Sequence, residues 1–387
     1  MQSSASRILT THAGSLPRPA ALVDMYVRLS RRERVDAAAL AAAIEESTQR
    51  IVRQQLDAGI DVGNDGEQAR ESFFTYVQHR MSGFGGISGR QVMRDIIYYR
   101  TFLELKLPDF ARPMVNLASA PKAIGEVRYV DRAPLEQECA QYRRILAAEP
   151  RRFAESFMTA ASPGIVAAAM LNEHYPRYDD YVVAVADALR TEYEYIVSQG
   201  FVLQLDCPDL AMERHTSFAD RPLEDFLAFV DVNVEATNRA IAGILPERVR
   251  MHVCWGNYEA PHVFDVPLED ILPRLYRARV GALVLSMANP RHAHEHRVLA
   301  RQPLPADMLL VAGVVDTTTN YVEHPEVVAE RLERAAEAVG DPRRVLAGTD
   351  CGFATAAGLG EVAEEVVWEK LRALRAGADL ATRRLLG

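Results

Sequence analysis

The sequence predicts an α/β protein built as a single (β/α)₈ TIM barrel. Short apolar runs recur along the whole chain, and each follows a helical pattern and ends at a Gly, Asp or Pro turn. That alternation is typical of βα units on a parallel sheet. The length of 387 residues suits one barrel with an insertion, so we assign residues 1–387 to one domain.

Eight of the runs have the length and composition of barrel strands. They are Ile8–Gly14, Ile60–Asp65, Gly164–Leu171, Phe201–Asp206, Arg248–Trp255, Ala282–Ala288, Met308–Val315 and Val345–Asp350. Helical spacing of apolar residues predicts helices over Ala37–Ala58, Tyr181–Gln199 and Pro325–Val339. A glycine, which often ends a helix, directly follows each of them. Eight strands predict a closed barrel.

Residues 68–160 do not fit the alternation. This stretch separates the second and third predicted strands and contains a glycine cluster at 83–86 and an extended segment, Ala123–Val130. We interpret it as a helical insertion with one hairpin, lying over the mouth of the barrel.

The amino-acid composition limits the kinds of molecule that this protein is expected to bind. The net charge of −9 argues against nucleic acid and anionic membrane surfaces, which usually need a basic face. The N-terminus lacks the apolar stretch of a signal peptide, so we expect a cytoplasmic protein. Four scattered cysteines cannot form a disulfide framework in so long a chain, which leaves core packing or metal binding. The sequence leaves a homo-oligomer open.

Barrel enzymes build their active sites at the carboxyl ends of the strands, and three metal-ligating residues stand there. His252 and Cys254 are two residues apart and therefore point to one face of a strand, and Cys351 follows the last strand. Imidazole and thiolate are strong Zn²⁺ ligands, and three protein ligands leave a coordination position open, as in catalytic sites. The alternative is a buried histidine beside a small apolar cysteine. The first interpretation predicts zinc that lowers the pKa of a substrate thiol.

The chain resembles the catalytic barrel of the cobalamin-independent methionine synthases, which transfer a methyl group from methyltetrahydrofolate to homocysteine on zinc. The resemblance covers nearly the whole chain and rests on six motifs in order: THAGSLPRP, GIDVGNDGE, QLDCPDL, HVCWGN, ANPRH and GTDCGF. It implies zinc binding by His252, Cys254 and Cys351. It also implies substrate contacts from Gly14, Ser15, Glu67 and Asp206, although Glu67 could instead cap a helix and Asp206 could stabilise a turn.

Two positions depart from the family pattern. Ser286 stands where the family has a glutamate zinc ligand, and Thr318 stands where it has a proton-donating histidine. His12 and Asp316 are the best candidates to replace that acid, and His292 and His294 are weaker candidates. We expect the run His292–His296 to begin a helix that faces solvent. The departures favour relatives such as the epoxyalkane:coenzyme M transferases.

The predicted function is therefore zinc-dependent transfer of a methyl or other alkyl group from a small donor to a small-molecule thiol. Two alternatives remain open. One is a protein that binds a thiol or pteridine without turnover, and the other is a metal-independent enzyme like uroporphyrinogen decarboxylase, in which the cysteines only pack. Metal analysis and a product assay distinguish the three.

Overall fold

The computed structural model describes residues 1–110 and 112–387. The helices are α1 (Ala20–Ser30), α2 (Ala37–Asp57), α3 (Arg94–Tyr98), α4 (Arg100–Phe110), α5 (Ala133–Ala148), α6 (Pro163–Ala169), α7 (Tyr178–Ser198), α8 (Leu223–Ala240), α9 (Leu268–Leu275), α10 (His296–Arg301), α11 (Pro325–Val339) and α12 (Glu364–Leu385). The strands are β1 (Val62–Gly63), β2 (Phe84–Gly85), β3 (Lys122–Ala123), β4 (Glu155–Ala161), β5 (Val202–Asp206), β6 (Val249–Val253), β7 (Ala282–Ser286), β8 (Leu309–Val315) and β9 (Val345–Thr349). None of the described helices is long and apolar enough to cross a membrane.

Seven strands form one curled parallel sheet, in the order β1-β4-β5-β6-β7-β8-β9. The N-terminal segment lies between its two edges, since Thr10 bridges Ala347 in β9 and Thr11 bridges Val62 in β1, both in parallel. All seven strands therefore direct their carboxyl ends to the same side of the sheet, where parallel α/β folds place their sites.

Local sequence signals explain where the helices begin and end. The carboxylate of Asp36 accepts a hydrogen bond from the amide of Ala39 and caps α2. Helix α11 begins at Pro325, which needs no amide partner there, and ends at Gly340 with a left-handed φ of 82°. These boundaries agree with the predicted helices.

The predicted strand Gly164–Leu171 is wrong. This run forms α6, because the Ser162 hydroxyl accepts a hydrogen bond from the amide of Ile165 (3.0 Å) and Pro163 occupies the first turn. The strand at this place in the sheet is β4, whose small and hydroxylated residues made it less conspicuous. An apolar run alone does not separate a buried helix from a buried strand, and the Ser-Pro cap was the deciding signal.

The predicted insertion, residues 68–160, extends too far toward the C-terminus. Residues 155–160 belong to β4, and the helix before it, α5, packs beside α2. The remainder contains α3, α4 and the antiparallel pair of β2 with β3, in which Phe84 lies opposite Ala123. We refer to residues 68–130 as the inserted segment.

A buried network of charges fastens the inserted segment to the helices around the sheet. Glu138 of α5 accepts hydrogen bonds from Arg70 (2.7 Å) and Arg80 (2.8 Å), and Arg80 also donates to Glu192 of α7 (2.9 Å). All four side chains are at most 4% exposed. Burial alone would raise the pKa of Glu138, but the two guanidinium groups lower it below its usual range. The carboxylate therefore stays ionised, and its charge is fully paired.

Replacing Glu138 with Ala should destabilise the protein by about 3–5 kcal/mol, because two buried guanidinium groups would lose a partner. Glu136→Ala is the matched control, since Glu136 lies on the same helix but forms an exposed i,i+4 pair with Arg132. It should cost less than about 0.5 kcal/mol. Urea unfolding of both variants measures the difference, and equal free energies of unfolding would contradict the role given to the network.

Candidate metal centre and its cavity

His252, Cys254 and Cys351 come together at the carboxyl ends of the strands. His252 lies in β6, Cys254 follows that strand, and Cys351 follows β9. All three are buried, and their ligand atoms lie within 4.8 Å of one another. No other His, Cys, Asp or Glu of the described residues joins this group at that spacing.

The distances match those of a tetrahedral zinc site. The two sulfur atoms are 3.8 Å apart, and two thiolates about 2.3 Å from one zinc ion at the tetrahedral angle would be about 3.8 Å apart. The Nε2 atom of His252 is buried and has no hydrogen-bond partner among the described residues. Its Nδ1 atom lies 3.4 Å from the carbonyl oxygen of Val284, the kind of contact that orients a metal-binding imidazole.

The protonation states of the three groups are linked. A hydrogen bond from Cys351 lowers the pKa of Cys254 well below its usual value against the effect of burial, and His252 adds to the lowering. The same contact, together with burial, raises the pKa of Cys351. Burial opposes protonation of His252, but Cys254 and Asp206 raise its pKa. One thiolate is therefore already favoured in the protein itself.

A cavity of about 470 Å³ opens above these residues. Its floor consists of residues from the strand ends, and its wall and roof come largely from the inserted segment and the loop after β6. The lining includes Ala13, Ser15, Glu67, Asp206, His252, Cys254 and Cys351 on the floor, and Arg90, Ile96, Leu103, Lys106, Leu117 and Tyr258 above them. A small organic substrate would be enclosed between them.

Glu67 and Asp206 present two carboxylates to the cavity beside the metal-ligating group. Glu67 is 1% exposed, and one of its oxygen atoms accepts a hydrogen bond from Thr159 (3.0 Å), while the other has no partner among the described residues. Burial raises the pKa of Glu67, and burial together with the Glu67 charge raises the pKa of Asp206 to about 8. An ammonium group placed between them would be stabilised by both.

Glu67 and Gly14 both have positive φ values. Glu67 has a φ of 58°, a left-handed backbone conformation that non-glycine residues adopt uncommonly. Gly14 has a φ of 127°, and a Cβ atom there would lie 2.8 Å from an Oε1 atom of Glu67 and 2.6 Å from a methyl group of Thr159. The glycine thus makes room for the Glu67 carboxylate, while the neighbouring Ser15 lines the cavity.

The two candidate acids, His12 and Asp316, are not among the residues that line the cavity. His12 bonds through Nε2 to Gln55 (2.8 Å) and accepts at Nδ1 from the amide of Gly14, and burial lowers its pKa to about 4. The carboxylate of Asp316 accepts hydrogen bonds from the hydroxyl groups of Thr318 (2.9 Å) and Thr319 (2.6 Å). The structure shows both residues engaged in local structure.

The two departures from the family pattern have definite surroundings. The Ser286 hydroxyl donates to the carbonyl oxygen of Asp350 (2.7 Å), one residue before Cys351. Thr318 belongs to the turn that Asp316 organises.

The expectation that the run His292–His296 faces solvent is wrong for His292. This side chain is buried, lies 2.8 Å from both Asp265 and Glu295, and stacks on Trp255. The spacing of a short histidine run did not show which of its members turns inward.

Sequence reasoning missed the cavity residues of the inserted segment. Arg90 pairs with Glu213, and Lys106 pairs with Glu259 (2.6 Å), so both basic groups are held at the rim. The segment carries no periodic pattern that would place these side chains, and only the glycine cluster at 83–86 indicated a turn there.

Together, fold and site define a parallel α/β protein with a sulfur-rich group of candidate metal ligands at the carboxyl ends of its strands. No family model matches the chain. Proteins named methionine synthase do match it over most of its length. The relative from Sulfolobus acidocaldarius is 25% identical over 346 residues, covering 89% of this chain and 85% of the relative. The relative from Thermococcus kodakarensis is 25% identical over 380 residues, covering 97% of this chain and 94% of the relative.

Solved structures agree on the fold. A B12-independent methionine synthase from Shewanella sp. W3-18-1, in complex with selenomethionine, superposes with a TM-score of 0.74 at 21% identity, covering 98% of this chain and 99% of that one. A putative vitamin-B12 independent methionine synthase from Listeria monocytogenes gives a TM-score of 0.62 at 17% identity, covering 97% and 99%. The chain is therefore similar over most of its length to proteins named methionine synthase, the family that its motifs resemble.

Replacing Gly14 with Ala should displace the Glu67 carboxylate and cost about 3 kcal/mol or more, because both the backbone conformation and the added methyl group are unfavourable. Gly86→Ala is the control: Gly86 also has a positive φ, of 64°, but a Cβ atom there meets nothing within 4 Å. It should cost about 1–2 kcal/mol. Urea unfolding compares the two, and a Gly14→Ala variant no less stable than Gly86→Ala would refute the close approach.

Proposed function

We propose that this protein is an enzyme that transfers a methyl or other alkyl group to a small-molecule thiol, on a closed (β/α)₈ barrel in which residues 10 and 11 complete the ring. The observation that carries the proposal is the convergence of His252, Cys254 and Cys351 on the floor of the cavity, with two sulfur atoms 3.8 Å apart. The homologous methionine synthases support the same class of reaction.

The residues present fit zinc. Two thiolates and an imidazole are ligands that Zn²⁺ prefers, and the unpartnered, buried Nε2 atom of His252 has a use only if something outside the chain binds it. When bound, zinc supplies a Lewis acid that lowers the pKa of a thiol and holds it as a nucleophile. With three protein ligands, a position stays open for that thiol.

The remaining residues of the floor bind and orient the substrate. Glu67 and Asp206 offer two carboxylates for the ammonium group of an amino-acid thiol, while Gly14 makes room for the Glu67 carboxylate and Ser15 lines the cavity. With a raised pKa of about 8, Asp206 ionises when the ammonium group arrives. The inserted segment covers the cavity and excludes water from the reacting groups.

The alkyl donor must suit a cavity in which neither His12 nor Asp316 is at hand to donate a proton. Methyl transfer from methyltetrahydrofolate leaves a poor leaving nitrogen, which needs protonation by a positioned acid. Donors such as a sulfonium or an epoxide are already activated or strained and depend on such an acid less strongly. The two cavity carboxyl groups, Glu67 and Asp206, are assigned to the ammonium group of the substrate, so the absence of His12 and Asp316 from the lining supports an activated donor.

The purified protein should contain about one zinc ion per chain at the cysteine centre. Cys254→Ser and Cys351→Ser should each lower the zinc content by about one ion per chain, whereas Cys207→Ala, which changes a buried cysteine outside the cavity, should not. Mass spectrometry of acid-digested protein measures the metal, and circular dichroism checks the fold. Full zinc content in both serine variants would rule out the three-ligand centre.

Homocysteine and coenzyme M, each offered with a sulfonium, an epoxide or methyltetrahydrofolate, test the reaction itself. We expect S-alkylation with an activated donor, little or none with methyltetrahydrofolate, and at least about 100-fold slower transfer in Cys254→Ser. Rapid methionine formation from methyltetrahydrofolate would instead identify an ordinary methionine synthase. Thiol binding without product from any donor would identify a binding protein, and full activity of Cys254→Ser would identify metal-independent chemistry.

A further inference from the structure

A second group of side chains that could hold a metal ion shares no residue with the cysteine centre. It consists of Asp95, His215 and Asp265, whose ligand atoms all lie within 4.8 Å of one another. Asp95 belongs to α3 in the inserted segment, His215 to the loop after β5, and Asp265 to the loop after β6. Three segments far apart in sequence thus meet at one point.

These groups are buried without adequate partners. Asp95 is fully buried, His215 is 1% exposed and Asp265 is 8% exposed. Both carboxylate oxygens of Asp95, Nδ1 of His215 and Oδ1 of Asp265 have no hydrogen-bond partner among the described residues. Buried polar atoms are almost always hydrogen-bonded, and an unpaired buried carboxylate is especially unfavourable. One ligand atom from each of the three side chains lies within 4.8 Å of the others, so a single ion placed among them could contact all three.

A shared proton would satisfy only two of the four atoms. Nδ1 of His215 and Oδ1 of Asp265 lie 2.7 Å apart but do not meet the angles of a hydrogen bond. A proton on that axis would still leave both oxygens of Asp95 unpaired. A cation can be bound by all three side chains at once.

The outer atoms of the same side chains are already held, as in established metal sites. Nε2 of His215 lies 3.3 Å from the hydroxyl group of Tyr258, which fixes the ring and directs Nδ1 inward. Oδ2 of Asp265 lies 2.9 Å from Nδ1 of His262 and 2.8 Å from Nε2 of His292, so Oδ1 is left for a ligand. Such outer contacts typically orient the groups that bind a metal.

We propose that Asp95, His215 and Asp265 form a second metal site, which binds Zn²⁺. One imidazole and two carboxylates are a donor set that zinc accepts, and the two carboxylates balance its charge. Ca²⁺ needs six to eight oxygen ligands, and Mg²⁺ prefers oxygen in octahedral geometry, so neither fits three ligands that include a nitrogen. This proposal does not depend on the thiol chemistry of the cysteine centre.

The site joins the inserted segment to the barrel loops. Asp95 is the one ligand from the inserted segment, and its neighbour Ile96 lines the cavity. Beside it, Arg94 pairs with Asp220 (3.1 Å), an ion pair with one exposed partner that contributes little. A metal bound here would hold α3 down over the cavity.

The test uses the full chain carrying Cys254→Ser and Cys351→Ser, which silences the cysteine centre. After equilibration with Zn²⁺ and removal of free metal, this protein should retain about one zinc per chain. Adding Asp95→Asn, which preserves shape, should weaken zinc binding at least about 100-fold. Adding Asp131→Asn instead, at an exposed aspartate just before α5, should leave zinc binding unchanged.

Cobalt supplies a readout specific to each centre. Co²⁺ bound by thiolates gives an intense sulfur-to-metal absorption band in the near ultraviolet, whereas Co²⁺ bound by nitrogen and oxygen gives only weak visible bands. The double-serine protein should show the weak bands alone and lose them with Asp95→Asn. If the folded double-serine protein binds neither metal, or if Asp95→Asn binds as tightly as its parent, the second site is refuted. Absence of the sulfur band from the wild-type protein would instead count against the cysteine centre only.

Discussion

The buried pairing of Arg70 and Arg80 with Glu138 and Glu192 is the interaction on which the geometry of the cavity depends. Removing four charges from water is costly, and the arrangement persists only because each charge has a partner in hydrogen-bonding geometry. Arg70 also donates to the carbonyl oxygen of Thr159 in β4 (2.8 Å). Since the Thr159 hydroxyl holds Glu67, the network that anchors the inserted segment also positions a carboxylate in the cavity.

A second buried charge organises the interior of the sheet. Arg250 of β6 lies over the ring of Phe157 (3.6 Å) and donates to Gln204 and to the carbonyl oxygen of His12, each at 2.8 Å. Burial lowers its pKa to about 9. Gln204 in turn donates to Asp206 (2.7 Å), so one guanidinium group links the Asp206 carboxylate to the N-terminal turn. His12 serves this framework, which explains why it does not reach the cavity.

The sequence was sufficient to predict features that follow from the direction of parallel strands. It was not sufficient to predict which way an individual side chain points. His252, Cys254 and Cys351 could be brought together in advance, because parallel strands direct their carboxyl ends to one side and residues two apart share a face. His12 and Asp316 also follow strand positions, but hydrogen bonds to their own surroundings turn them away from the cavity. Helix α6 was mistaken for a strand because apolar composition outweighed the cap at Ser162.

Ser286 contributes to the position of Cys351 through the residue that precedes it. Its hydroxyl is committed to the carbonyl oxygen of Asp350, and the Asp350 carboxylate accepts from the amides of Met287 and Ala288, each at 2.8 Å. These bonds tie the end of β7 to the end of β9 and fix Cys351, the next residue, opposite Cys254. A glutamate at position 286 would lose the hydrogen bond to the carbonyl oxygen of Asp350. Ser286 therefore helps to fix Cys351 opposite Cys254, whose sulfur atoms lie 3.8 Å apart.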